Sequence, residues 1–389
     1  MSVILGVAEM LDRVRSEILR VTLELRWLRP FFQRRWLRLG ALFAVAALVS
    51  LGVALLFPLW ALLIGPLVYG VPHIFSSMRY VHFAVIERGE GRARIEFDGS
   101  GRRLFAASFL LLFAVASYRV FVTMNVFRLE MPQLSEWAGS SYLELIALML
   151  TFFAGAWIYR FASVGALRGL TLLLPFCAVF IRFPMQTIGA MVLLHNFVAF
   201  AYWLRAARTR TEGAVAFLAL LFALAVTVAI FMGAFDVVYR VAPPSRVLDF
   251  ASMSVESTGR LIAPYLGGSE AFCLHASIAF AFGQALHYFI WLKAIPDQFH
   301  TSEAPTSFRQ SAKLLERDFG MKVAGLLILL SLGAIVFWSF FSFQMARMLY
   351  FSIASYHGYL EIAGLALWAG NLKRVDRSEA KQLRQLVQG

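Results

Sequence analysis

Six of the seven histidines in this 389-residue chain lie inside long apolar segments. His73, His195 and His357 fall near the centres of three such segments, and His275 and His287 bracket the centre of a fourth. His82 sits near the end of the segment that carries His73, and His300 falls in a polar connection. Imidazole is the commonest metal ligand, and its neutral form enters a low-dielectric medium more cheaply than a carboxylate does. Several imidazoles at one depth on separate helices suit a buried Fe, Cu or Zn ion. A lone intramembrane histidine is more often a hydrogen-bonded packing residue. His73, His195, His287 and His357 share a depth, and they make the candidate metal set.

Helix geometry sorts these residues further. At about 100° per residue His73 and His82 point about 180° apart, so they do not share one ion. His275 and His287 differ by about 120° and occupy different surroundings. Packing is the expected role of His275 and His82, with His82 and Arg79 reaching the rim of the membrane. His357 and Glu361 are four residues apart and share one helix face. Glu361 is therefore a candidate ligand, catalytic base or partner for the second nitrogen of His357. Gln284 and Asn196 are placed to serve His287 and His195 in that last way. Pro72, in "GVPHIF", breaks its helix just before His73.

The elements that position these side chains read as membrane helices. The chain is 60% hydrophobic and 15% aromatic. Apolar runs of 18 or more residues recur, the length a helix needs to cross a hydrocarbon core of about 30 Å. The expected class is all-α: a polytopic helical membrane protein of about ten transmembrane helices. They run roughly 37–58, 61–86, 103–124, 141–160, 164–182, 187–207, 213–233, 270–294, 321–343 and 346–370. Residues 1–36 show an apolar stripe from Ile4 to Leu28, with charges on the other face. They read as an amphipathic interfacial helix rather than a signal peptide. The bundle then spans 37–370, and 371–389 form a basic tail.

With the N-terminus inside, the inner connections hold 28 of the 36 Lys and Arg, including all five lysines. This is the positive-inside bias, and it places both termini in the cytoplasm of a plasma membrane such as a bacterial inner membrane. The net charge of +13 thus reports orientation and contact with anionic lipids, with no need of nucleic acid. Cys177 and Cys273 read as two buried thiols. No phosphate-binding loop, haem-attachment motif or nucleophile elbow occurs. The paired-histidine boxes of membrane desaturases are absent too, since no two histidines are closer than nine residues.

At the same four places the chain resembles the Brp/Blh family of membrane carotene dioxygenases. "GVPHIF" at Gly70 to Phe75 is similar to the family's early Gly-Leu-Pro-His-Gly segment, and "LLHNF" at Leu193 to Phe197 to its second histidine segment. "ALHYFIWLKAIP" at Ala285 to Pro296 resembles the Tyr-Phe-x-x-Trp-His stretch, with Leu292 where the family has histidine, so His287 takes that place. "SYHGYLEIA" at Ser355 to Ala363 is placed like the last histidine segment. The resemblance implies an iron held by His73, His195, His287 and His357. It also implies cleavage of a polyene by O2.

Three functions are therefore open. The first is a metal-dependent oxygenase, with Fe(II), O2 and a lipophilic substrate such as a carotenoid. The second is a b-type haem protein using two of the same histidines. The third is a transporter or assembly protein whose histidines relay protons or pack.

Overall fold

The computed structural model describes residues 29–86, 137–159, 163–242, 247–248, 253–262, 269–299 and 357–370. It also describes scattered residues between 9 and 25, between 99 and 114, and at 307, 309 and 333. Almost all of this is helix. In chain order the elements are α1 (Arg29–Gln33), α2 (Arg35–Leu56), α3 (Pro58–Ile86), α4 (Trp137–Ile158), α5 (Ser163–Arg182), α6 (Pro184–Ala206) and α7 (Arg210–Phe231). The short α8 (Asp236–Val241) follows, then a two-residue hairpin of β1 (Val247–Leu248) and β2 (Met253–Ser254), and α9 (Val255–Ile262). α10 (Glu270–Phe289) continues through one π-helical turn (Ile290–Ala294) into α11 (Ile295–Phe299). Residues 357–370 form α12.

Among the described residues four helices are long and apolar enough to cross a membrane: Arg35–Leu56, Val164–Arg182, Arg210–Phe231 and Glu270–Phe299. A fifth span is made if the two arms of α3, bent by 59° between Gly70 and Pro72, are taken together. The expected spans at 141–160 and 187–207 appear as α4 and α6, whose shorter apolar stretches are Leu145–Ile158 and Met191–Ala206. Expected spans 103–124, 321–343 and the first part of 346–370 fall largely outside the described residues. So does most of the expected amphipathic segment 1–36. Its helical residues 12–17 include Asp12, whose carboxylate accepts the Arg309 backbone N–H at 2.9 Å.

Local sequence explains where these helices start and stop. Pro58 and Pro184 stand at first helical positions, where a missing N–H costs nothing. Thr209 and Glu212 form a reciprocal capping box at the head of α7, and the Ser269 hydroxyl accepts from Phe272 N–H at the head of α10. α10 is apolar around its whole circumference, so it takes the centre. It packs against α2, α3, α6, α7 and α9, and every residue from Ala276 to Gln284 is buried. α12 closes on the bundle through small residues. A side chain at Gly364 would collide with Tyr202 Oη and Val81 Cγ1, so the bare backbone is what admits α6 and α3 at that point.

Three helix ends that the charge pattern assigns to one side do meet. Arg35 pairs with Glu212 at 3.7 Å, Arg38 with Asp297 at 3.5 Å, and Lys293 with Asp297 at 3.1 Å. The expectation that His82 reaches lipid at the rim is corrected here. His82 is fully buried, its Nδ1 lies 2.7 Å from Tyr159 Oη, and the two rings stack. The Arg79 guanidinium lies over the Tyr80 ring and donates to its hydroxyl at 3.1 Å. The Tyr159 phenol takes up His82 Nδ1 without the chain having to bend toward water. Both cysteines are free and buried, as expected.

Candidate metal centre

Three elements carry the inner group. His73 comes from α3 just past its bend. Pro72 has no N–H for the Val68 carbonyl, and its ring collides with that carbonyl, so the helix yields there. The His73 Nδ1 lies 3.0 Å from the Tyr69 carbonyl oxygen. A carbonyl only accepts, so Nδ1 holds the proton and Nε2 keeps its lone pair for another partner. His287 comes from the central helix α10, directly before the π-helical turn, an irregularity often found at functional sites. The Ser76 hydroxyl donates to the Trp291 carbonyl in that turn, which ties α3 to α10 one turn beyond His73. His357 comes from α12, and four residues on Glu361 shares its face.

His73, His287 and His357 each offer a ring nitrogen, and all three nitrogens lie within 4.8 Å of one another. All three residues are 3% exposed or less. The Nε2 atoms of His73 and His357 are 3.1 Å apart. Two nitrogens bound at about 2.1 Å to one metal stand about 3.0–3.4 Å apart when neighbours, and about 4.2 Å apart when opposite. The group is therefore near the size of a coordination sphere and needs only a small contraction to become one. Without an ion, the 3.1 Å contact holds one proton between two imidazoles.

Glu361 stands against this group. Its Oε1 is 3.8 Å from His287 Nε2 and 3.9 Å from His357 Nε2. It is 0% exposed, and neither of its oxygens has a hydrogen-bond partner among the described residues. Both nitrogens of His287 are likewise without one. Buried polar atoms are nearly always paired, and a buried carboxylate is costly alone. A cation set among these atoms would take up the Glu361 carboxylate and one nitrogen of His287 at once.

His195 is close but distinct. Its ring centroid is 5.0 Å from His287 and 5.5 Å from His357, yet it is outside the group whose donor atoms are all mutually close. Its Nδ1 lies 3.0 Å from the carbonyls of both Met191 and Val192. It is part-buried where the other three are buried. Asn196 and Gln284 do not act as the partners expected for the histidines. Asn196 Nδ2 donates weakly to the Val192 carbonyl at 3.4 Å rather than to His195, and Gln284 does not bond to His287. Main-chain carbonyls of the same helix take the His195 nitrogen first, because they are one turn away.

The remaining histidines lie apart. His275 Nε2 is 2.8 Å from Asp236 Oδ1, well removed along α10 from His287. Tyr239 packs near that pair, and burial together with the Asp236 carboxylate raises its phenol above the ordinary range. His300 lies outside the described residues. Sequence reasoning missed the residues that brace the group: Tyr202, whose hydroxyl donates to the Glu361 carbonyl at 2.6 Å, Ser76, and Tyr288, whose ring is 4.6 Å from that of His73. Tyr202 follows His195 by two turns and so shares its face, a signal that was legible.

The fold and site define a helical protein of membrane type with a buried histidine group that could hold a metal ion. No family model, no curated protein and no solved structure matches this chain.

Proposed function

We propose that this chain is a membrane-embedded, metal-dependent oxygenase acting on a lipophilic substrate such as a carotenoid. The observation that carries the proposal is the buried trio His73, His287 and His357 with the unpartnered Glu361 carboxylate beside it. His287, His357 and Glu361 are two histidines and a carboxylate, the donor type of non-haem Fe(II) oxygenases. No thiolate is near to select a softer ion. The resemblance of "GVPHIF", "LLHNF", "ALHYFIWLKAIP" and "SYHGYLEIA" to the carotene dioxygenases supports iron, O2 and a polyene.

In this proposal His73, His287 and His357 hold the ion, with Glu361 completing the charge balance. His195 is a fourth candidate ligand, facing the group from its more open side. Bound there, iron supplies the O2 chemistry that side chains lack. The protein's part is to orient and to dry the site. The Tyr69 carbonyl fixes the His73 tautomer, Tyr202 anchors the main chain at Glu361, and Tyr288 and Trp291 wall the group with aromatic surface. A b-type haem fits less well. The 3.1 Å between His73 and His357 is too short for that pair to hold a haem between them.

The test is metal content with a visible spectrum on detergent-purified protein loaded with Fe(II). Near-stoichiometric non-haem iron is expected, lost in His73→Ala and His357→Ala and kept in His300→Ala. Glu361→Gln should weaken binding by about 10- to 100-fold. A Soret band, or equal iron in all the variants, would overturn the proposal.

A further inference from the structure

Two tyrosines link the histidine group to the exposed side of α3. Tyr288 follows His287 and is 4% exposed, and its ring centroid lies 4.6 Å from His73 and 6.2 Å from His287. Tyr69 lies a further 5.9 Å on, and it is 47% exposed. Gly65 makes room for this arrangement: a Cβ there would stand 3.2 Å from Tyr288 Cε2. Packing alone does not call for tyrosine. The chain has 37 phenylalanines and 12 tyrosines, and a buried phenol brings a hydroxyl that must be satisfied.

We propose that Tyr288 and Tyr69 form an escape path that carries oxidising equivalents from the histidine group to the exposed face of α3. This rests on the metal-dependent reading of the site. A phenol gives up an electron and its proton together and becomes a phenoxyl radical, which phenylalanine cannot do. Hydrogen peroxide reduced at the site takes a first electron and proton from Tyr288. The Tyr288 radical takes a hydrogen atom from the Tyr69 hydroxyl, so Tyr288 is restored and the first radical stands at the surface. Tyr288 then gives the second electron and proton, the peroxide leaves as two waters, and one radical remains on each tyrosine. Each step crosses rings in or near contact. The path keeps damage away from His73 and His287, whose oxidation would destroy the site.

The full-length protein, loaded with Fe(II) in detergent, is mixed with hydrogen peroxide and a nitroso spin trap, and the adducts are mapped by mass spectrometry. The expected result is an adduct on Tyr69 that needs iron. Tyr288→Phe should keep the iron, lose the Tyr69 adduct and gain oxidised His73 or His287. Tyr69→Phe should leave the adduct on Tyr288. An undiminished Tyr69 adduct in Tyr288→Phe, or in iron-free protein, would overturn the path. If the wild type binds no iron, the metal reading fails and takes this one with it. If it binds iron and Tyr69 stays unmodified, only the path fails.

Discussion

Two buried polar regions of this molecule handle their charge in opposite ways. At the end of the bundle where Arg35 and Arg38 lie, each buried carboxylate faces a base: Glu212 faces Arg35, and Asp297 faces both Arg38 and Lys293. At the histidine group the carboxylate of Glu361 and Nε2 of His287 stand 3.8 Å apart, and neither makes a hydrogen bond. In the first region each carboxylate already has its base, and breaking a pair exposes a buried charge. The second is incomplete by itself, and filling it should stabilise the fold. Structure and site can thus be told apart by whether the buried carboxylate already faces a base.

That contrast is open to measurement. The largest effect is expected at the paired end. Asp297→Ala removes the carboxylate that Arg38 and Lys293 share, and should cost about 3–5 kcal/mol in denaturant unfolding, with iron binding intact. Next comes the unpaired region. Fe(II) at about a hundredfold its dissociation constant should raise wild-type stability by about 2.7 kcal/mol, seen as a thermal shift, while His287→Ala should show no response. A metal response at the paired end instead would erase the distinction. Smaller still, Tyr202→Phe removes one buried hydrogen bond to the Glu361 carbonyl and should cost about 1 kcal/mol. Least is His275→Ala, where the partner Asp236 is half-exposed. It should cost about 0.2–1 kcal/mol and leave the metal content unchanged.

Depth and phase along a helix are properties of sequence, and what depends on them was legible. His73, His287 and His357 do converge, His357 and Glu361 do share a face, and His82 and His275 do stand apart. The break at Pro72 was legible as well, because the missing N–H is written in the residue type. Neighbourhood between helices was not. Depth supplies one coordinate of three, so it gave no reason to set His195 aside from the mutually close trio. It gave none to seat His82 on Tyr159, 77 residues away. The π-helical turn was hidden too. Ile290 to Ala294 reads as ordinary helix, and the wider turn is settled by what packs around it.

That wider turn has a consequence for the phasing of the molecule. From His287 to Asp297 a regular helix would advance ten residues, leaving the two side chains about 80° apart. One extra residue in the turn offsets the second by about 100°, so the two aim to nearly opposite sides. A single continuous rod thereby serves the histidine group with one flank and the Arg38 pair with the other. Deleting one residue between Ile290 and Ala294 would therefore return the turn to regular helix and keep Asp297 on the Arg38 side, whereas tightening the turn at unchanged length would swing Asp297 about 100° away and leave His287 where it is, uncoupling the anchor from the chemistry it steadies.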